Sequence, residues 1–182
     1  TLEEVFLPGL ESSASTLYVG NVQGGDCILQ ITDSEVRLLS LTGIILDTWS
    51  GPITVASANE AGQIGVALRG RMVLYFCVQD GKLSKLFEKQ MEREVSCVNL
   101  HPFAPGGLDG SSAMEVDDDN DERRTAHKSA MMAVGLWDDF TVRLLSLDSG
   151  LDEMLQINLG TDEDEDNEES AGAGPSRRNR NN

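Results

Sequence analysis

The chain has few of the residues that usually carry out catalysis. Only two of its 182 residues are histidines, and its three cysteines show no CxxC or Cys/His spacing. His101 precedes Pro102 at the end of an apolar run, and His127 lies in a polar stretch. Neither is accompanied by a Ser or Cys nucleophile in a recognisable context. The sequence therefore predicts no catalytic residue, no metal site and no cofactor, and we expect a protein that is not an enzyme and binds no small molecule.

The cysteines are too few to form a disulfide framework. Cys27, Cys77 and Cys97 each lie inside an apolar run, a position typical of a small buried core residue in a reducing compartment. The sequence shows no signal peptide and no apolar run of membrane-spanning length, so we expect a soluble intracellular protein with no membrane partner. Since the first residue is Thr1, we also expect a piece of a longer chain.

Basic residues are scarce as well. The chain has 14 Lys and Arg against 31 Asp and Glu, for a formal charge of −17. The segments Ala104–Ala130 and Gly160–Asn182 each hold seven acidic and three basic residues, which leaves 17 acidic and eight basic residues in an apolar-rich body. Phosphate binding depends on clustered Lys and Arg. Direct binding of nucleic acid by this chain is therefore disfavoured, and basic protein surfaces are the more natural partners.

The most informative feature of the sequence is a repeated hexapeptide. VRLLSL occurs as Val36–Leu41 and as Val142–Leu147, each time between an apolar run and a Gly-containing turn. A third unit, GQIGVALRG followed by RMVLYFCV, keeps the order without the hexapeptide. Val36 and Val73 are 37 residues apart, and removal of an insertion at 104–130 leaves 42 between Val73 and Val142. A period near 40 with four short strands is typical of β-propeller blades.

The predicted fold is all-β: a partial propeller of about three blades, each of four antiparallel strands. The hexapeptide would be a third strand, with IILDTWS, KLSKLFEKQ and LDEMLQINL as outer fourth strands. A helical alternative stays open for Leu83–Val95, where Leu, Lys and Glu also fit a helical spacing. Residues 104–130 are predicted to be a disordered acidic insertion, and residues 160–182 a disordered acidic and basic tail.

Other candidate motifs have simpler explanations. Gly20–Asp26 lacks the Lys-Ser/Thr of a phosphate loop and is predicted to be a turn. The acidic runs Asp117–Glu122 and Asp162–Asp166 lack the pattern of an EF-hand. Trp137-Asp138 falls before the hexapeptide, not at the end of a third strand, so it is not taken as a WD40 dipeptide. Trp49 and Trp137 are instead expected to cover strand ends.

Two motifs outside the repeats suggest regulation or transport. Thr161 precedes a run of acidic residues that would suit an acid-directed kinase. The run Arg177–Arg180 is a weak candidate for a nuclear-import element. Arg37 and Arg143 of the two hexapeptides are expected to carry no chemistry.

Three stretches carry a family resemblance. Leu17–Ser40, Lys89–Phe103 and Met131–Leu147 resemble, in the same order, segments of the UV-damaged-DNA-binding protein 1 family, which join its first two propellers and continue into the second. The similarity runs from about Glu3 to Leu159 and omits the insertion. It implies that residues 1–24 end a preceding propeller and form the junction, and that residues 25–159 are blades of the second propeller.

The resemblance also implies a function. Members of that family are adaptors of cullin-RING ubiquitin ligases, in which the second propeller holds the cullin and the other two bind substrate receptors. We therefore expect a nuclear, non-enzymatic scaffold, with a cytoplasmic pool as a second location, linked to ubiquitin-dependent proteolysis and DNA repair. The large propeller subunits of the splicing branch-site factor and of the cleavage–polyadenylation factor share the architecture and remain the alternative.

Overall fold

The computed structural model describes residues 7–100, 128–138 and 140–160. Within these ranges the chain forms twelve β-strands, one short 3₁₀ turn at Gln23–Gly25 and no α-helix. The strands in chain order are β1 Thr16–Val22, β2 Cys27–Thr32, β3 Glu35–Ser40, β4 Ile45–Ser50, β5 Ile53–Ala58, β6 Gln63–Leu68, β7 Met72–Gln79, β8 Lys82–Gln90, β9 Val95–Asn99, β10 Met131–Leu136, β11 Thr141–Ser146 and β12 Glu153–Asn158.

Each set of four consecutive strands forms one antiparallel sheet, giving blade 1 (β1–β4), blade 2 (β5–β8) and blade 3 (β9–β12). Every strand pairs with its neighbour in sequence, so each blade is a series of antiparallel strands in chain order. The prediction of an all-β fold with three four-stranded blades is confirmed. The helical alternative for Leu83–Val95 is wrong, because most of that stretch is the outer strand β8, which pairs with β7 along its length.

The predicted period is visible in the strand register. The hexapeptides fall in the third strands β3 and β11, and β7 holds the same place in blade 2. In all three blades a register shift separates the third and fourth strands at the same position, and one extra residue of the outer strand is left unpaired. These extra residues are Leu46, Leu86 and Met154, and all three are exposed. A bulge at each outer edge hinders pairing with another strand.

Two apolar cores hold the blades together, one between each pair of neighbouring blades. In the first core Phe76 of blade 2 is buried and its ring lies 5.1 Å from that of Trp49 of blade 1, at an interplanar angle of 60°. In the second core Met132 and Leu145 of blade 3 pack against Val73 and its neighbours in blade 2. Blade 2 contributes one face to each core, so it is apolar on both faces.

The two copies of the hexapeptide have different surroundings. Val36 and Leu38 lie on the forward face of blade 1, meaning the face toward the next blade, and are fully buried against blade 2. Their counterparts Val142 and Leu144 lie on the forward face of blade 3 and are only half-buried, because none of the described residues forms a following blade. Identical sequence therefore gives different burial according to position in the row of blades.

Cys97 lies on this same uncovered face, since it pairs with Gly135, which in turn pairs with Val142. Cys97 is exposed, and the prediction that it is buried is wrong. The prediction is confirmed for Cys27 and Cys77, which are both buried in sheets that neighbouring blades cover.

The segment before β1 lies across the backward face of blade 1. The Gln30 side-chain amide accepts a hydrogen bond from Glu11 N at 2.8 Å and donates one to Glu11 O at 2.8 Å. A Cβ atom on Gly9 would overlap Leu39 and the carbonyl oxygen of Gly43, so only glycine fits where this segment crosses the sheet. The buried Gln30 side chain on this face therefore has hydrogen-bond partners for both its oxygen and its nitrogen.

Two predicted boundaries change. Thr16–Val22 pairs with β2 inside blade 1, so the boundary expected after residue 24 falls within that blade. Ser129, assigned to the insertion, is buried, and its backbone N and O bond the Gln63 side chain at 2.6 and 2.8 Å. Of the predicted insertion, residues 104–127 lie outside the described residues, as does the tail after Gly160. The assignment of the preceding residues to an earlier propeller stays a prediction.

Replacement of Phe76 by alanine tests the first core. Phe76 is 1% exposed and contacts Trp49, whereas Phe140 is 70% exposed. Phe76→Ala should lower the free energy of unfolding by about 3–5 kcal/mol, because it leaves a cavity between two blades. Phe140→Ala is the matched control and should change it by no more than about 0.5 kcal/mol. Equal effects of the two variants in chemical denaturation would contradict this packing.

Thiol labelling tests the uncovered face. Burial raises the pKa of the Cys27 and Cys77 thiols, which reduces their thiolate fraction, while Cys97 is exposed. A maleimide added to the folded chain at pH 7 should therefore modify Cys97 first, as read by peptide mass spectrometry, and all three thiols should react in denaturant. Labelling of Cys27 or Cys77 as fast as Cys97 in the folded chain would show that blade 1 or blade 2 is not covered as described.

Candidate protein-docking surface

The described residues contain no arrangement that suggests catalysis. Within residues 7–100, 128–138 and 140–160, no group of three or more His, Cys, Asp or Glu side chains is placed to hold a metal ion. In the same ranges no helix is long and apolar enough to cross a membrane. His101, His127 and both acidic runs fall outside the described residues, as do Thr161 and Arg177–Arg180. The predictions of no metal, no cofactor and no catalysis therefore stay predictions.

The two hexapeptide arginines bind connecting segments to the sheets. Arg37 Nη2 lies 2.9 Å from Glu11 Oε2, and its Nε also pairs with Glu35. The hydrogen bond and charge of Glu35 are the main cause that raises the pKa of Arg37. The Glu11 pKa is lowered, chiefly by hydrogen bonds from Ser13 and less by Arg37. Arg37 thus fixes the segment before blade 1.

Arg143 has the same role in blade 3. Its Nη1 lies 2.9 Å from Glu153 Oε1 and 2.6 Å from Gln156 Oε1, and its Nη2 lies 4.0 Å from Glu92 Oε2 in the connection between blades 2 and 3. Only 8% of Arg143 is exposed. In both blades the arginine is held in a network that contains a glutamate of the segment entering the blade, so it is structural and not available to a ligand.

Among the described residues, the most exposed large apolar side chain, Phe140, lies in the turn from β10 to β11, which we call the aromatic turn. The turn from β10 to β11 carries Trp137, which is 59% exposed, and Phe140, which is 70% exposed. Leu159, at the end of β12, is 62% exposed and donates its N–H to Phe140 O at 2.7 Å. Large apolar side chains that gather on a surface mark a contact site for another molecule far more often than scattered ones do.

The backbone of the aromatic turn is strained. Asp138 and Phe140 have φ values of 70° and 50°, in the left-handed region that non-glycine residues rarely adopt. For a phenylalanine this conformation costs on the order of 1–3 kcal/mol, and such strain persists where surrounding structure imposes it. Phe140 adopts this conformation with its ring exposed, at a position where a smaller turn residue would fit more easily.

Arginines lie beside the aromatic turn. Trp137 N donates to Glu94 O at 2.8 Å, which places the turn next to the connection that carries Arg93. Arg71 Nη1 donates to Glu92 O of the same connection at 2.8 Å. Arg71 lies in the turn between β6 and β7, and Arg69 precedes it by two residues. We call the set Arg69, Arg71, Arg93, Trp137, Phe140 and Leu159 the Trp137 surface.

All members of the Trp137 surface lie at one end of the sheets. The turns between second and third strands and the ends of the fourth strands share this end because every blade is an antiparallel hairpin series. Trp, Tyr and Arg are the residues that most often dominate the energy of protein–protein contacts. Carboxylates of Glu92, Glu94 and Asp138 are interspersed, so the surface is mixed in charge and suits a protein partner better than a polyanion.

Sequence reasoning predicted that Trp49 and Trp137 both cover strand ends. Trp49 does so, because it is half-buried and packs on Phe76. Trp137 does not, since most of its ring faces outward. Comparison of the equivalent turns in the three blades indicates that Trp137 is not needed to cover a strand end. The corresponding turn is Asp33-Ser34 in blade 1 and Arg69–Arg71 in blade 2, so the turn itself requires no aromatic residue.

Comparison with known proteins supports the blade assignment. A family model described as the RSE1/DDB1/CPSF1 second beta-propeller matches residues 1–174. DNA damage-binding protein 1 of Oryza sativa subsp. japonica is 33% identical over 164 residues, which are 87% of this chain and 13% of that protein. DNA damage-binding protein 1a of Arabidopsis thaliana is 32% identical over 151 residues, which are 80% of this chain and 12% of that protein.

A solved structure supports the fold alone. The Cps50 (Swd1) β-propeller domain of Myceliophteria thermophila superposes with a TM-score of 0.54 at 18% sequence identity, covering 84% of this chain and 41% of that chain. The chain spans only 12–13% of the length of the curated relatives named above. What those whole proteins do is therefore a matter for proposal.

Proposed function

The chain belongs to the RSE1/DDB1/CPSF1 second-propeller family, and from this premise we propose that it is the cullin-docking part of a ubiquitin-ligase adaptor. An adaptor of this kind performs no chemistry. It offers a rigid surface on which other proteins assemble. The three blades supply the rigidity through two interblade cores, and the loops and strand ends supply the surface.

The exposed aromatic turn is the observation that carries the proposal. Trp137 and Phe140 protrude from a strained turn that is bonded to a blade connection and to the end of β12, so they need little ordering when a partner binds. Preorganised aromatic side chains give a large contact area at a low cost in conformational entropy. Arg69, Arg71 and Arg93 can form charged hydrogen bonds around that contact.

The proposed role extends to a cellular pathway. The curated relatives are named for binding damaged DNA, and the proposal links this chain to DNA repair and ubiquitin-dependent proteolysis in the nucleus, with substrate receptors as further partners. The large excess of acidic residues argues for a role through protein partners, since direct phosphate binding needs clustered bases.

A second function stands beside it because the matching family model carries the names RSE1 and CPSF1 beside DDB1, so the splicing and cleavage–polyadenylation alternative of the sequence analysis stays open. A propeller subunit of one of those complexes would use the same scaffold with different partners. Co-purification of the full-length protein from cells separates the two. Cullin and receptor subunits support the ligase adaptor, and subunits of a splicing or polyadenylation complex overturn it in favour of the alternative.

Truncation of the tryptophan tests the docking surface. In the full-length protein, Trp137→Ala should weaken capture of the cullin partner at least about tenfold, since a hot-spot residue at the centre of an interface contributes about 2 kcal/mol or more. Ile44→Ala is the matched control. Ile44 is 65% exposed in the turn between β3 and β4, at the opposite end of the sheets. Unchanged capture by Trp137→Ala, or an equal loss with Ile44→Ala, would refute docking through the Trp137 surface.

A further inference from the structure

We propose that Asn59 and Gln63 of blade 2 form a clasp that binds both ends of the long connection between β9 and β10. The clasp keeps strands β10–β12 in place on blade 2 without the covalent link through that connection. Blade 3 carries Trp137 in the turn from β10 to β11, so the clasp also fixes the blade that presents the Trp137 surface. The role of the clasp is independent of which protein docks there.

The first connection of blade 3 is much longer than those of the other two blades. The connection between the first two strands spans residues 23–26 in blade 1 and 59–62 in blade 2, but residues 100–130 in blade 3. A short turn keeps two strands together more firmly than a long one, because the entropy lost on closing a loop grows with its length. Leu100 and Ser129, which lie at the two described ends of the long connection, are both bound to blade 2.

Gln63 binds the second end of the connection. Its side-chain Oε1 accepts a hydrogen bond from Ser129 N at 2.6 Å, and its Nε2 donates to Ser129 O at 2.8 Å. Nε2 also donates to the Tyr75 hydroxyl at 2.8 Å, and Oε1 also accepts from Asn59 Nδ2 at 2.8 Å. These four bonds use both donors and both acceptor positions of the amide. Gln63 is 3% exposed and Ser129 is 4% exposed, so water does not readily replace a lost bond between them.

Asn59 binds the first end of the connection. Its Nδ2 donates to Leu100 O at 3.3 Å, and Ser57 Oγ accepts a hydrogen bond from Leu100 N at 3.1 Å. Asn59 is fixed by its own turn, because its N donates to Gln63 O at 3.1 Å and its Oδ1 accepts from Gln63 N at 3.2 Å. The Asn59 and Gln63 side chains also bond each other, so both ends of the connection are bound by one preorganised unit of blade 2.

The same kind of pairing holds the segment before β1. Gln30 of blade 1 is also 3% exposed, and its side-chain amide bonds the N and the O of Glu11, both at 2.8 Å. An amide that bonds the N and O of a single residue reproduces the hydrogen-bonded pair of an antiparallel sheet. Gln30 also donates to Thr16 Oγ1 at 3.1 Å, and these partners belong to blade 1 and the segment before it. Gln30 is therefore a matched control for Gln63.

Cleavage of the β9–β10 connection tests the clasp in the full-length protein. A recognition sequence for a specific protease is inserted between Gly110 and Ser111, and the connection is cut under native conditions. The two pieces should remain one species in size-exclusion chromatography, because the clasp, the second core and the pairing of β9 with β10 still join them. The rate at which the pieces separate is then measured in urea, at a concentration at which the uncut variants remain folded. Separation of the cut parent without urea would overturn the proposal.

Gln63→Leu should speed the separation at least about tenfold, since it removes two buried hydrogen bonds to Ser129 and one to Tyr75. Gln30→Leu removes the same pairing from blade 1 and should leave the rate within about twofold of the cut parent. Equal rates for Gln63→Leu and the cut parent overturn the proposal, as does an equal rise for both glutamine variants. If Gln63→Leu does not fold, Asn59→Ala replaces it and should raise the rate about threefold or more, and an unchanged rate then overturns the clasp.

Discussion

Each four-stranded sheet in this chain has two faces that need cover, and this constraint determines most of what the structure shows. Blade 2 is the clearest case: Ile64 and Phe76 are buried on one face, and Val73 and Tyr75 on the other. A sheet of this kind is not stable alone, because each exposed face would leave large apolar side chains in water. The row of blades, the burial of the first hexapeptide and the partial exposure of the second all follow from which faces have a neighbour.

The same constraint decides where binding can occur. Side chains on the faces are used for packing, and the outer edges are interrupted by a bulge in each blade, so edge pairing with another strand is hindered. The arginines within the sheets are held by Glu11, Glu92 and Glu153. Apart from the partly exposed forward face of blade 3, what remains for recognition among the described residues is the two ends of the sheets. At one of these ends Trp137 and Phe140 stand out from a turn whose backbone is strained to present them.

Much of the fold could be predicted because the signals are local and repeat. The hexapeptide gave the period, and apolar runs with turn residues between them gave the strands, including the outer strand β8, whose Lys and Glu content also fits a helix. Cys97 could not be predicted in the same way, because its exposure depends on whether a following blade covers its face, and none of the described residues forms one. An apolar run looks the same in either case. The start of blade 1 at Thr16 depended on a pairing between β1 and β2 that no residue type specifies.

The candidate surface was harder to predict than the fold. A tryptophan at a strand end is compatible with covering the core, as Trp49 does, and with facing outward, as Trp137 does. Strand register and the connection through Glu94 decide between the two. Likewise, Arg71 and Arg93 are distant in sequence from Trp137. The Trp137 N–Glu94 O hydrogen bond places the connection with Arg93 beside the turn, and the Arg71 guanidinium reaches the same connection through Glu92 O. Composition indicated a scaffold, but only the arrangement of three blades indicated which surface serves it.

Hydrogen–deuterium exchange of the full-length protein, with and without its cullin partner, tests the central claim most directly. Docking through the Trp137 surface predicts slower exchange in peptides that cover residues 69–71, 92–95 and 136–141. Peptides that cover 41–46 and 80–82, at the opposite end of the sheets, should exchange at the same rate in both samples. Protection confined to residues 41–46 and 80–82, with none at 136–141, would contradict the account.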